Sequence, residues 1–300
     1  MNTLKKKNII KARIAIVTNI PSPYRVTYFN ELNKILGDNL LVLYCANNEP
    51  NRKWIVNNLD HNHLYLKKNT LDIFSKYIYF NKDIINKLKI FSPEYIITGG
   101  FYPTMLLSIL YARIKKKKHF INTDAWYLTE SNFRFYHKIL RKLIYKSTDG
   151  FLPVSKKGKS NLITIYKIPE KKITIVPYVI DNKQYAKHIT NEKKYHVVFS
   201  GQFIERKMPF FFIDVCKELN LRINDFSVLL LGDGPLLKPS LELLEKHKVK
   251  YYSAGFVQPI KIPIIMSYAK MLLFPTKKDG WGVVVNEACA LGLPVITCDN

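Results

Sequence analysis

The chain has 300 residues, 47% of them hydrophobic and 23% charged, which is the balance of an ordinary globular protein and a natural length for two cores. Its formal net charge is +24, and the surplus is one-sided: residues 1–190 hold 33 Lys and Arg against 12 Asp and Glu, whereas residues 191–300 hold 14 against 11. Lysine enrichment of the whole chain would spread the charge evenly, so the split points to an anionic surface met by the first part alone, either lipid or nucleic acid. No apolar run approaches the ~20 residues needed to span a bilayer.

Taken in chain order, the opening MNTLKKKNIIKARIAIVTNI is basic and then apolar, like a secretion signal. Its apolar part is short and β-branched, and it runs into NIPSPYR rather than into small residues fit for cleavage, so RIAIVTNI reads as a first buried strand. NLLVLYC, EYIITGG, KHFINT, GFLPVS and ITIVPYVI read as further strands, followed in the second part by HVVFSG, FSVLLLGDGP, KYYSAGF, KMLLFPT and PVITC. Helix-period stretches such as VTYFNELNKIL and PFFFIDVCKEL fall between them. This rhythm predicts an α/β fold of two Rossmann-like, doubly wound domains facing a central cleft. The polar segment DNKQYAKHITNEKKY separates the two sets, giving domains at 1–180 and 195–300 joined by a linker at 181–194. Four cysteines (Cys45, Cys216, Cys289, Cys298) lack metal or disulfide spacing and read as buried thiols.

In doubly wound sheets, ligands bind at the carboxyl ends of the strands. In the second domain FSGQFIERK leaves its strand through Gly201 and Gln202 and reaches Arg206 and Lys207. LGDGP ends another strand in a glycine-rich turn, SAGFV offers open backbone around Gly255, and FPTKKDGWGVVVNEACALGLP carries Asp279 and Glu287 around a Gly-Trp-Gly turn. VVVNEACALG reads as a helix of about three turns, starting near Val283 and stopped by Gly292, with Glu287 one turn from its start. Gly280 and Gly282 would leave amide N–H groups uncovered, as in turns that hold phosphate oxygens. Carboxylates accept from hydroxyls, while amides and cations meet anionic oxygens. A ligand with both a polyol and a diphosphate, such as a nucleotide sugar, uses all of them.

These segments, in this order, resemble glycosyltransferase family 4, the retaining GT-B enzymes that use nucleotide-sugar donors. The two acids with seven residues between them, Asp279 and Glu287, are the most specific part, and SGQFIERK, LGDGP, GFV and VSKKGKSNLITIYKIPEKKITIVPYVID match further segments. The resemblance implies that Glu287 binds the nucleotide ribose and Asp279 the transferred sugar or its phosphate. Lys207 and Arg206 would neutralise the leaving diphosphate. Gly280, Trp281, Gly282 and Val283 would line the sugar pocket, with Gly201, Gln202, Gly255, Phe256 and Val257 beside them. It also implies no cofactor and no metal, a UDP- or GDP-sugar as donor, and a front-face displacement in which the leaving phosphate takes the acceptor proton. This chain departs from the pattern in four places: Asp279 stands for a glutamate, Gln202 for an arginine, Asp124 near the usual place of a histidine, and NIPSPYRV lacks paired glycines. Family members continue past VITCDN, so the C-terminal end is expected to be incomplete.

The first domain would then bind the acceptor, with Tyr24 and Arg25 after the first strand, Gly99 and Gly100 after EYIITGG, and Asp124 as its contributors. In NFRFYHKILRKLIYK, a helix would place Phe133, Tyr136, Leu140 and Leu143 on one face and Arg134, Lys138, Arg141 and Lys142 on another. With Arg113 to Lys118 it would dock on anionic lipid, at about 1 kcal/mol per basic residue. His119 and His137 read as ordinary polar residues. The expectation is a retaining sugar transferase, acting on a lipid-linked or cell-surface glycan acceptor and peripheral on the inner face of a bacterial cytoplasmic membrane. The alternatives are a catalytically impaired, truncated relative that only binds nucleotide sugar and a basic nucleic-acid-binding protein. Nucleic acid is the poorer partner, because no binding module or interleaved exposed aromatics accompany the charge.

Overall fold

A computed structural model describes residues 11–50, 52–67, 70–73, 76–130 and 135–298. Two compact units emerge, Met1–Arg52 with Val56–Tyr178, and Lys53–Ile55 with Val179–Asn300.

The first unit contains, in order, β1 (Ile14–Thr18), α1 (Pro23–Leu36), β2 (Leu40–Tyr44), β3 (His63–Tyr65), β4 (Thr70–Ile73), β5 (Lys76–Tyr79), α2 (Ile84–Phe91) and β6 (Tyr95–Gly99). It continues with α3 (Pro103–Ile114), β7 (Lys118–Thr123), α4 (Tyr127–Glu130), α5 (Phe135–Lys146), β8 (Gly150–Pro153) and α6 (Lys156–Thr164). Its main sheet is ordered β3-β2-β1-β6-β7-β8 and every pair is parallel, with Ile14 facing Leu40 on one side and Tyr95 on the other. Both faces are covered, which explains the unbroken apolar runs. From β1, Ala15 and Val17 enter one core with Leu43, Ile96 and Met105, while Ile16 enters another with Phe29, Val42 and Tyr44. α1 starts at Pro23, where a missing N–H costs nothing, and stops at Gly37 with φ of +52°.

The second unit contains α7 (Asn182–Ala186), β9 (Tyr195–Ser200), α8 (Pro209–Asn220), β10 (Ser227–Leu231), α9 (Leu237–Lys246), β11 (Lys250–Ser253), α10 (Ile262–Met266), β12 (Ala269–Phe274), α11 (Val283–Ala290) and β13 (Val295–Thr297). Its sheet is β11-β10-β9-β12-β13, again parallel throughout, so β9 is the central strand from which the order runs both ways. Val197 and Phe199 face one core and Val198 the other. Residues 53–55 belong here because Lys53 pairs with Asp233, and Gln258 accepts from the Ile55 amide (2.9 Å) and donates to the Lys53 carbonyl (3.1 Å).

Several expectations change. ITIVPYVI does not form a full strand: Ile173 bridges Phe151, and Thr174 and Val176 donate to Phe151 and Pro153 (2.9 Å each), after which β8 has ended. α11 spans eight residues, nearer two turns than three. Its stop is as expected, with Gly292 at φ +71°. Only Cys45 and Cys216 are buried, whereas Cys289 is exposed and Cys298 half-buried.

On α5 the expected apolar face divides. Leu140 packs inward beside Ile144 and Tyr145, whereas Leu143 is 59% exposed. Arg141 turns from solvent to an ion pair with buried Glu130 (3.0 Å) and lies over the Phe101 ring. Phe133, Arg134 and the Tyr136 side chain lie outside the described residues. Among the described residues no helix is long and apolar enough to cross a membrane.

Two buried histidines make stability depend on pH. His61 lies between Asn30 Oδ1 (2.5 Å) and the Tyr44 hydroxyl (3.0 Å), and His119 between Thr98 (3.0 Å) and Thr148 (3.4 Å). Burial lowers each imidazole to about 4 from an ordinary value of 6.5. The unfolded chain therefore binds more protons between those limits, so stability is full above about 6.5 and falls as the pH drops toward 4, by roughly 3 kcal/mol for each histidine. Urea midpoints should fall over this window, and the fall should be smaller in His119→Gln.

Candidate functional site

The site in the second unit is built on glycines that let two loops cross. β9 leaves through Gly201, and the turn after β10 lies across it. A Cβ at Gly232 would fall 1.8 Å from the Gly201 carbonyl oxygen, and one at Gly234 would fall 2.5 Å from that of Phe203. The crossing is tied by Gly201 N–H to Leu231 O (2.9 Å), Phe203 N–H to Asp233 O (3.0 Å) and Gly232 N–H to Gly255 O (2.8 Å). Gly232 and Gly234 of LGDGP thus serve close approach of main chain to main chain, whereas the space beside Gly255 is open. Gln202 is exposed, Phe256 half-buried, and Val257 packs on the core.

This crossing starts the chain toward a single 3-10 turn, Glu205–Lys207. The Arg206 carbonyl accepts from Lys277 N–H (2.9 Å) and Thr276 Oγ1 (3.1 Å), which latches the turn to the loop after β12. Lys207 Nζ donates to Asp279 Oδ2 and sits 4.5 Å from the centre of the Phe274 ring. Arg206 Nη1 lies 3.5 Å from the same oxygen and donates to the Lys278 carbonyl (2.9 Å). Burial opposes ionisation of Asp279, but Lys207 and Arg206 outweigh it and hold the carboxyl below its usual range, with the Trp281 amide helping. That amide, which the resemblance assigns to the sugar pocket, donates to Asp279 here. Gly280 is half-exposed, and Trp281 Nε1 donates to Asn286 Oδ1 (2.8 Å). Gly282 caps α11 at φ +80° against Phe274, in a conformation that favours glycine, and Val283 opens the helix.

Glu287 stands one turn into α11. Its Oε1 accepts from the Tyr185 hydroxyl (3.0 Å) on α7, and burial raises its carboxyl above the usual glutamate range despite that bond. Tyr185 had no signal in the sequence, since it sits in a segment read as a polar linker. The structure brings Arg206, Lys207 and Asp279 together, and gives Glu287 a partner of its own.

In the first unit Tyr24 and Arg25 meet Tyr178, another residue without a sequence signal. The Tyr24 and Tyr178 rings are 4.6 Å apart, and Arg25 donates to Tyr178 (3.0 Å) and Thr18 (2.6 Å). Asp124 is exposed and acts on both Arg25 and Tyr178 through space. Gly99 ends β6 with the space beside it facing the Arg25 guanidinium, and Gly100 follows at φ +104°. Among the described residues no group of three or more His, Cys, Asp or Glu side chains is placed to share a metal ion.

Residues 181–300 match the family model "Glycosyl transferases group 1". The chain is 27% identical over 106 residues to a 2-deoxystreptamine N-acetyl-D-glucosaminyltransferase of Niallia circulans, covering 35% of this chain and 27% of that protein. It is 26% identical over 106 residues to an alpha-D-kanosaminyltransferase of Streptomyces kanamyceticus, covering 34% and 27%. The chain thus matches about a quarter of the length of these curated relatives. Among solved structures, a glycosyltransferase from Rickettsia africae ESF-5 superposes with a TM-score of 0.70 at 16% identity over 95% of this chain and 79% of that one. Anabaena Alr3699/HepE in complex with UDP-glucose superposes at 0.69, with 12% identity over 95% and 80%. At these identities the superpositions establish the fold, an α/β architecture with two parallel sheets. The matched stretch, residues 181–300, holds Arg206, Lys207, Asp279 and Glu287, so the likeness to the glycosyl transferases group 1 rests on the second unit.

Proposed function

We propose that the protein is a retaining glycosyltransferase that takes a sugar from a UDP- or GDP-sugar and delivers it to a lipid-linked or cell-surface glycan acceptor. The observation that carries this reading is the convergence of Lys207 and Arg206 on Asp279 at the carboxyl ends of β9 and β12. Asp279 keeps two cations in place in the free protein. An incoming diphosphate offers them more negative charge, and Asp279 is then released to accept from a sugar hydroxyl. Glu287, held by Tyr185, is suited to accept from the ribose. In the reaction the bond from the anomeric carbon to phosphate breaks while the acceptor oxygen bonds to that carbon on the same face. The acceptor proton passes to the departing phosphate oxygen. Lys207 and Arg206 stabilise the charge that develops there, so the chemistry needs neither a protein nucleophile nor a metal.

The test is release of UDP or GDP from a panel of nucleotide sugars without acceptor. Slow release by the wild type and none by Glu287→Ala is expected. Equal release by both would overturn the site. Tyr185→Phe removes only the hydroxyl that holds Glu287, and should weaken nucleotide binding about three- to tenfold, near 1 kcal/mol. Calorimetry reads this directly, and an unchanged affinity would leave Tyr185 with a packing role.

The one-sided charge supports a peripheral position at an anionic membrane. On α5, Phe135, Ile139 and Leu143 are exposed at four-residue intervals, with Lys138, Lys142 and Lys146 beside them. Co-sedimentation with phosphatidylglycerol vesicles should exceed that with phosphatidylcholine and fall several-fold in Phe135→Ser/Leu143→Ser. Equal partition between the two lipids would contradict it.

A further inference from the structure

The first unit has a pocket of its own at the point where its strand order reverses. β1 is flanked by β2 on one side and β6 on the other, and the crevice outside their carboxyl ends is where open α/β sheets receive ligands. Arg25, from the first turns of α1, lies over this crevice. Its Nη atoms are engaged by Thr18, Asn19 and Tyr178, so the guanidinium is fixed. Its Nε is buried without a hydrogen-bond partner, and so is the hydroxyl of Ser22, a residue that is 5% exposed and lies one helical turn earlier. Arg25 lines the pocket beneath it, whose other walls are mainly apolar side chains, among them Ile16, Ile97, Leu152 and Val176.

A buried cationic donor left unmatched in the pocket wall calls for an anionic acceptor, and a phosphate or carboxylate is such a group. The apolar space calls for hydrocarbon next to that group. A neutral sugar could accept from Arg25 but would bring neither a countercharge nor hydrocarbon, and a free inorganic anion would leave the apolar walls bare. We infer that the β1–β6 crevice binds an anionic amphiphile, its phosphate or carboxylate on Arg25 and its hydrocarbon against Ile97 and Val176. This rests on the proposed function for its meaning, because it selects a lipid-linked, anionic acceptor over a neutral glycan. Asp124, which faces Arg25 only through space, sets the orientation of such a ligand by repelling its anionic end from the exposed side.

The probes are hexyl phosphate, hexanol and inorganic phosphate, each titrated calorimetrically into the full chain. Hexyl phosphate should bind at least about tenfold more tightly than either of the others, since only it satisfies both parts of the pocket. Arg25→Gln should lose about tenfold for hexyl phosphate. Val176→Phe, which narrows the pocket from a half-buried position, should weaken hexyl phosphate and leave inorganic phosphate unchanged. If Arg25→Gln does not fold, Val176→Phe decides. No binding to the wild type, equal binding to the folded variants, or inorganic phosphate binding as tightly as hexyl phosphate would each overturn the proposal. UDP titrated in parallel reports the second unit's site, so loss of one response with retention of the other tells which reading has failed.

Discussion

Lys207→Ala should lower turnover by a factor of about 100 to 1,000, the usual cost of removing one group that stabilises developing charge in a shielded site. The ammonium sits over Phe274 and is 12% exposed, so water cannot take its place cheaply. A structural reading of the same pair predicts something else. Removing one partner of a buried pair leaves the other uncompensated and costs about 3 kcal/mol of stability, whereas replacing both with neutral groups of similar volume restores it. Lys207→Met combined with Asp279→Asn separates the two: melting temperature near the wild type together with absent turnover is the expected result. Turnover that recovered along with stability would assign the pair to folding alone.

Gly232→Ala should destabilise the second unit by about 3 kcal/mol or more, and Gly255→Ala by only about 1 kcal/mol. Both glycines have positive φ, +139° and +61°, so both substitutions meet backbone strain. They differ in what the added methyl group encounters. At Gly232 it meets a main-chain oxygen at 1.8 Å, which can move only by displacing the segment that leads to Lys207, while at Gly255 nothing lies within 4 Å. Urea denaturation of the two variants measures the contrast. Equal destabilisation would mean that the crossing of the two loops is not what holds the site.

Much of the fold was legible because a parallel sheet buried on both faces writes itself as β-branched runs. IAIVT, LLVLY and MLLF sit in strands where their pattern put them. Gly292 could be read as a helix stop, since it is followed by Leu-Pro and lies in the left-handed region. ITIVPYVI carried the same pattern and still failed, because it follows β8 only as far as Pro153, where that strand ends.

The basic pair and Asp279 were visible as neighbours on one sheet edge, yet their mutual pairing was not, since a sequence gives no distance between side chains 72 positions apart. Tyr185 and Tyr178 were missed for the same reason. Each is an aromatic that no motif or periodicity in the sequence singles out, and its role depends on a partner 102 or 153 residues away. Two of the strand-end glycines, Gly232 and Gly234, admit main chain at close approach, a role that the sequence did not show.

The most direct measurement is calorimetric titration of UDP and GDP into the wild type, Lys207→Ala and Glu287→Ala. One of the two nucleotides should bind the wild type, and each substitution should weaken it at least about tenfold, near 1.4 kcal/mol, the ordinary value of one charge-assisted contact. Binding of equal strength in all three proteins would contradict the account.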